Sequence, residues 1–185
     1  DRFWNPESNE KLSENGVMAE RTMNTLLHVF EGYSGLYQAT QAPEVGTELR
    51  ALLDIWGKHM FQPEKRRQEV FFDLDYNSLI DLHSYGHDIE SSWLIDDGCS
   101  LLGDAALNQT IFAMDDRLAE GIYQTAYRNH SVLNECENGV DDETRVWWVQ
   151  AESVLGFYHM YEKHGNCQYL QAAQDIFSYI EQYFL

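Results

Sequence analysis

Basic residues, long apolar runs, prolines and cysteines are all scarce in this chain of 185 residues. Only 12 lysines and arginines stand against 31 aspartates and glutamates, so the formal net charge is −19 at pH 7. A field of that sign repels polyanions, so we expect neither a nucleic-acid partner nor binding to an anionic membrane surface. The apolar runs extend over a few residues only, far below the ~20 that a membrane-spanning helix needs.

The three cysteines indicate a reducing compartment. Cys99, Cys136 and Cys167 are far apart, odd in number and form no CxxC pair, which excludes a disulfide framework and a paired-cysteine metal motif. We therefore expect a cytoplasmic location. Hydrophobic residues make up 44% of the chain, which is enough to build a folded core and excludes wholesale disorder.

The three prolines leave room for long helices, and the apolar residues recur with a helical period. One short extended segment is predicted near residues 68–76 and a polar loop over residues 129–143. The predicted helices cover about 17–40, 43–60, 86–103, 104–128, 145–163 and 167–185. The first helix of each consecutive pair carries polar and aromatic clusters, whereas the second carries a plain apolar stripe. This alternation predicts an all-α fold with inner helices lining a cavity and outer helices packed behind them.

The segment HSYGHDIESSWL, residues 83–94, holds a candidate acid/base pair. His87 falls at the start of a helix and Glu90 follows at i+3 on the same face. A carboxylate beside an imidazole fixes its tautomer and favours its protonated form, which suits proton transfer near neutral pH. Two alternatives remain open. His87 and Glu90 could simply stabilise the helix start, or His83, His87 and Glu90 could bind a metal, although this spacing matches no standard zinc pattern.

Two further helices add candidate binding residues. Asn24 and His28 lie at i and i+4, although a lone histidine there could equally be a core residue with one hydrogen bond. Trp147 and Trp148 point about 100° apart, so one is expected to pack and the other to face a cavity. Trp148 and Glu152 lie at i and i+4, and an indole beside a carboxylate can bind a sugar. A hydrophobic tryptophan pair with a solvated Glu152 is the alternative.

Three strings, SENGVMAERTMNTLLH, HSYGHDIESSWL and RVWWVQAE, resemble the N-acylglucosamine 2-epimerase superfamily, and most closely its cellobiose 2-epimerase branch. The resemblance runs collinearly over essentially the whole chain. It implies an (α/α)6 barrel that acts on the reducing-end sugar of a disaccharide without a metal or a redox cofactor. It also implies ring opening, removal of the C2 proton to give a cis-enediolate, and conversion of glucose to mannose.

The resemblance also implies roles for individual residues. His87 would be one of two general acid/base histidines, with Glu90 orienting it. Asn24 and His28 would hold the oxygens of the open chain. Trp148 would form the sugar platform, with Trp147 packing or contributing to it, and Glu152 would bind hydroxyls.

The resemblance further implies that residues 1–185 are an internal segment of a single barrel. Six helices are predicted here and twelve would be needed, and the family's second histidine would follow Leu185. The isolated segment is therefore expected to be incomplete as an enzyme, and the full-length protein is expected to be a monomer. Other functions remain open, namely a mannose or N-acylglucosamine 2-epimerase or aldose–ketose isomerase, an (α/α)6 glycoside hydrolase using Glu90 and Glu152, and a non-catalytic helical binding module.

Overall fold

The computed structural model describes residues 16–185, so the first three residues of the SENGVMAERTMNTLLH string, residues 13–15, lie outside it. Each predicted helical segment contains a helix of the structure, although the segments 17–40 and 104–128 also include the short strands at residues 21–22 and 127–128. None of the described helices is long and apolar enough to cross a bilayer. The helices are Met23–Thr40 (α1), Pro43–Ile55 (α2), Tyr85–Ser100 (α3), Ala105–Thr125 (α4), Trp147–His164 (α5) and Cys167–Tyr183 (α6).

The helices pack as three consecutive pairs, α1 with α2, α3 with α4, and α5 with α6. Helix α3 also packs against both α1 and α5, so the first members of the pairs lie side by side, as predicted. Two buried apolar clusters hold this arrangement. One includes Leu27, Phe30 and Trp56, and the other includes Ile89 and Phe157.

Helices α1 and α2 are shorter than their apolar period predicts. Helix α1 begins at Met23 because Arg21–Thr22 (β1) pairs with Phe71–Phe72 (β4). The Thr22 side chain then caps the helix by accepting a hydrogen bond from the Thr25 amide at 3.1 Å. Helix α2 ends at Ile55 and continues as a π-helical turn over Trp56–Met60, so the predicted segment 43–60 contains two helical forms.

Short strands connect the helices and correct the prediction of a polar loop over residues 129–143. The loop region instead supplies most of a three-stranded antiparallel sheet, in which Leu82–Ser84 (β5) pairs with Glu135–Glu137 (β8) and β8 pairs with Val140–Asp142 (β9). The pairing of β5 with β8 spans about 50 residues and leaves no mark on a polar sequence. The hairpin of β8 and β9 turns at Asn138 and Gly139, a hairpin signal that the loop prediction did not use. Two further pairs are Phe61–Gln62 (β2) with Arg67–Gln68 (β3), and Tyr127–Arg128 (β6) with Ser131–Val132 (β7).

Helices α3 and α5 approach so closely that glycine is required at the contact. A Cβ at Gly86 would lie 2.5 Å from Cη2 of Trp148, and a Cβ at Gly156 would lie 2.9 Å from the backbone oxygen of Ile89. Both distances are too short for a real contact. The two glycines therefore set the spacing between the helix that carries His87 and the helix that carries Trp148.

A buried charged cluster joins α3, α4 and α5. The Asp96 carboxylate accepts hydrogen bonds from Nε2 of His159 at 2.8 Å and from Nζ of Lys163 at 2.5 Å. Asp115 is fully buried, and neither of its oxygens meets a donor among the described residues. Burial, reinforced by Asp96, raises the pKa of Asp115 well above its usual value. A protonated Asp115 can donate to Asp96, which removes the cost of burying two adjacent negative charges.

Candidate active site

The candidate site is built from three helices that lie side by side. Contacts between helices join the residues directly. Nε2 of His87 lies 3.1 Å from Oδ1 of Asn24, and Nε2 of His28 lies 4.0 Å from Oε1 of Glu90. The His87 and Trp148 rings are tilted relative to each other, with their centroids 4.9 Å apart. The structure thus brings together residues from α1, α3 and α5 that sequence analysis selected separately, namely Asn24, His28, His87, Glu90 and Trp148.

His87 is held by neutral groups and is disfavoured as a cation. Its Nδ1 lies 2.7 Å from the hydroxyl oxygen of Ser84, and its Nε2 faces the amide oxygen of Asn24. Burial lowers the pKa of His87 to about 4; Asp88 acts in the opposite direction and His28 lowers it further. The ring is therefore neutral at pH 7 and can accept a proton there.

The predicted pairing of Glu90 with His87 is wrong. Although the two residues lie at i and i+3, the Glu90 carboxylate faces His28 on α1 rather than the His87 ring. Burial and the neighbouring Glu152 raise the pKa of Glu90 to about 7, against the opposing effect of His28. Glu90 therefore does not favour the protonated form of His87, and its own carboxyl changes charge near neutral pH.

The start of α3 is fixed by a buried hydrogen-bond network behind His87. Oδ2 of Asp88 lies 2.7 Å from Nε2 of His83, and its Oδ1 accepts from both the backbone amide and the side-chain amide of Gln68. The His83 ring thus contacts Asp88 and does not converge with His87 and Glu90 on one metal position. Among residues 16–185 no three histidine, cysteine or acidic side chains are grouped so as to hold a metal ion.

Glu152 is positioned by a residue that sequence analysis did not select. Its Oε2 accepts a hydrogen bond of 3.0 Å from the indole nitrogen of Trp93, so the indole partner of Glu152 is Trp93 of α3 rather than Trp148 at i−4. Burial raises the pKa of Glu152 while this hydrogen bond lowers it. The signal for Trp93 was available, because it lies at i+3 from Glu90 within the quoted motif.

The two adjacent tryptophans of α5 have different surroundings. Trp148 is partly buried against Gly86 and the His87 ring. Trp147 is 67% exposed, so it does not pack in the core, and its contribution to a sugar platform stays a prediction. The Trp147 side chain points away from α3, because successive helical residues are ~100° apart and α3 lies on the Trp148 side of the helix.

A cavity of about 350 Å³ adjoins the site between α1 and α3. It is lined by Glu31 and Gln38 of α1 and by Trp93 and Asp97 of α3. Trp93 therefore borders this cavity and also binds Glu152. A volume of this size, with an aromatic wall and several polar groups, is typical of a small-molecule site.

Comparisons with known proteins show the family to which the chain belongs. A family model described as N-acylglucosamine 2-epimerase (GlcNAc 2-epimerase) matches residues 1–185. The chain is 43% identical to the cellobiose 2-epimerase of Eubacterium cellulosolvens, an alignment that covers 97% of this chain and 48% of that protein. It matches the crystal structure of a sugar epimerase from a ruminal bacterium at 39% identity and a TM-score of 0.94, covering 99% of this chain and 47% of that one.

The structure of cellobiose 2-epimerase from Bacillus thermoamylovorans matches at 41% identity and a TM-score of 0.88, again with 99% and 47% coverage. The predicted all-α class and (α/α)6-barrel architecture are thereby confirmed, and the three helical pairs correspond to about half of such a barrel. The chain spans about half the length of the curated relatives it matches.

Proposed function

The chain belongs to the N-acylglucosamine 2-epimerase family, and from this membership we propose that it forms part of a carbohydrate 2-epimerase. The proposed reaction converts the reducing-end glucose of cellobiose, or of a related β-1,4 disaccharide, to mannose. The names of the relatives support this choice. We further propose that residues 1–185 are an internal segment of one barrel domain.

The observation that carries the proposal is the convergence on His87. A neutral imidazole, an amide oxygen and an aromatic ring meet there from α3, α1 and α5, with Nε2 of His87 at 3.1 Å from Asn24 and the Trp148 ring alongside. A neutral imidazole nitrogen beside an aromatic ring can accept the proton that epimerisation removes from a sugar carbon. The net charge of −19 also favours a neutral sugar over a phosphorylated one.

In the proposed mechanism His87 acts on the opened sugar. Its Nε2 takes the C2 proton, and the electrons of the C–H bond form the cis-enediolate. Asp88, which is buried and acts to raise the pKa of His87, stabilises the imidazolium as it forms. Return of a proton to the opposite face of C2 requires a second acid, and by resemblance to the family we place it outside these 185 residues.

The surrounding residues have binding roles in this proposal. Asn24 and His28 would hold the carbonyl and hydroxyl oxygens of the open chain, and the Trp148 ring would cover the C–H face of the sugar. Glu152, oriented by Trp93, would accept from hydroxyls. Glu90, which does not contact His87, would instead exchange a hydrogen bond with a hydroxyl beside His28.

The test is to incubate the intact protein with cellobiose in deuterated water and to analyse the products. Epimer carrying deuterium at C2 supports the proposal. The His87→Asn variant should lose about 10²–10⁴-fold in turnover, as expected for a lost general acid/base, while its circular dichroism stays unchanged. The matched control is His130→Asn, because His130 binds Asp175 on the surface. Near-normal turnover in His87→Asn, or epimer without label at C2, would contradict the mechanism.

A glycoside hydrolase is the second candidate, because Glu90 and Glu152 interact electrostatically and both carboxyls have a raised pKa. Hydrolysis needs one protonated and one ionised carboxyl on either side of the bond. The same incubation separates the two functions, since a hydrolase releases glucose from cellobiose and an epimerase leaves the disaccharide bond intact.

A further inference from the structure

Ser84 occupies the N-cap position of α3 but does not cap it. At three other helices Thr22, Asp104 and Asn166 accept a hydrogen bond from a backbone amide of the first turn, whereas the apolar Ala42 and Val146 at α2 and α5 have no side chain that could. The Ser84 side chain makes no such bond. Its hydroxyl oxygen lies instead 2.7 Å from Nδ1 of His87. A side-chain cap would stabilise the helix, so the hydroxyl serves the histidine in place of the helix end.

The protonation pattern of the His87 ring follows from its two partners. The Asn24 amide oxygen is an acceptor, so Nε2 carries the hydrogen, and Nδ1 then accepts from the Ser84 hydroxyl. The nearby carboxylates are directed elsewhere, Asp88 toward His83 and Glu90 toward His28. Within residues 16–185 the polar contact of Nδ1 is therefore a hydroxyl and not a carboxylate.

We propose that Ser84 is a positioning residue whose hydroxyl, as either donor or acceptor, lets His87 pass through all its protonation states. It donates to Nδ1 when the hydrogen is on Nε2. It accepts from Nδ1–H in the other neutral tautomer and in the imidazolium. A carboxylate at this position could only accept, so it would exclude the tautomer with the hydrogen on Nε2 and would favour the imidazolium over the neutral ring.

This inference rests on the proposed function, because a reversible epimerisation uses the histidine in both directions. To take the C2 proton, Nε2 must be free and the ring hydrogen must be on Nδ1, where the Ser84 oxygen accepts it. The C–H electron pair moves into the enediolate as Nε2 takes the proton. In the reverse reaction the second base removes the C2 proton from the opposite face, and Nε2–H of the imidazolium protonates C2 on its own face. A partner that favoured the imidazolium would speed proton uptake and slow proton return.

The decisive variant is Ser84→Asp, with Ser84→Thr as its conservative partner. Aspartate and threonine are both good N-cap residues, so both variants should fold at least as stably as the original protein. If Ser84 acted only at the helix end, both would remain fully active. We expect Ser84→Thr to retain kcat within a few-fold and Ser84→Asp to lose about 10–100-fold in kcat with little change in KM, as for a misplaced catalytic group.

Imidazole ¹⁵N spectra of the histidine-labelled intact protein supply a readout independent of activity. His87 signals are assigned by their loss in His87→Asn. Without ligand, the original protein should show protonated Nε2 and unprotonated Nδ1, and Ser84→Asp should show protonated Nδ1. The control Asn166→Ala removes a true helix cap and should change stability but neither the His87 signals nor kcat.

Two results would overturn the proposal: unchanged kcat in Ser84→Asp, or a ligand-free spectrum with His87 protonated on Nδ1 alone. If the original protein epimerises no sugar, the proposed function fails, and the nitrogen signals alone decide whether Ser84 controls the ring.

Discussion

The buried carboxyl of Asp115 makes the stability of this protein depend on pH in a defined direction. Because its pKa is raised in the folded protein by burial and by Asp96, the folded state binds the proton more tightly than the unfolded chain, where an aspartate ionises near pH 4. Its stabilising contribution is therefore complete below about pH 4 and is lost as the pH rises toward the folded-state pKa.

The variant Asp115→Asn should remove this dependence. An amide of the same shape stays neutral and can donate to the free Asp96 oxygen at every pH. Relative to the variant, the original protein should lose about 1.4 kcal/mol of unfolding free energy for each pH unit over which folded Asp115 keeps its proton. Over two pH units this loss would amount to about 3 kcal/mol, or roughly 6–12 °C in melting temperature for a domain of this size.

The measurement is urea unfolding of the intact protein between pH 5 and pH 8. Asp54→Asn is the matched control, because it removes the same charge from an exposed side chain that contacts Lys58. Stability of Asp115→Asn minus that of the original protein should rise with pH, whereas the corresponding difference for Asp54→Asn should stay nearly flat. Parallel pH profiles for Asp115→Asn and the original protein would refute the assignment of a protonated Asp115.

Two further predictions concern the site. Since burial and Glu152 raise the pKa of Glu90 to about 7, Glu90→Gln should abolish any limb of the kcat–pH profile near pH 7; an unchanged limb would assign it to another group. Trp93→Phe removes the hydrogen bond to Glu152 and should raise the KM for cellobiose about 10-fold, as for one lost bond to a charged group; steady-state kinetics with unchanged KM would show that Trp93 does not orient Glu152.

Sequence periodicity was sufficient to predict the helices but not the contacts between them. The i, i+3 spacing placed His87 and Glu90 on one face correctly, yet it could not reveal that His28 on α1 lies opposite Glu90. Local spacing describes one helix, whereas the partner of a buried carboxylate depends on which helices pack together. For the same reason, local spacing suggested Trp148 as the indole partner of Glu152, whereas the structure shows Trp93 in that position.

The strands were the least predictable part of the fold. Two-residue and three-residue strands such as β1 and β5 carry no alternating pattern, and their pairing is decided by distant segments. Ser84 lies within the string HSYGHDIESSWL, but its contact with His87 could not be predicted without the geometry of the start of α3. Sequence reasoning therefore selected residues that the structure brings together, but it did not predict the contacts that join them.

The three-stranded sheet has a consequence for how the sequence can diverge. The segment between α4 and α5 would ordinarily tolerate insertions, yet its strand β8 pairs Glu135 with Ser84, three residues before His87. A residue inserted within Glu135–Glu137 would shift the register and place a different backbone against Ser84. Changes in length should therefore accumulate at the hairpin tip around Gly139, whose positive φ and open surroundings mark a turn free to lengthen over evolutionary time.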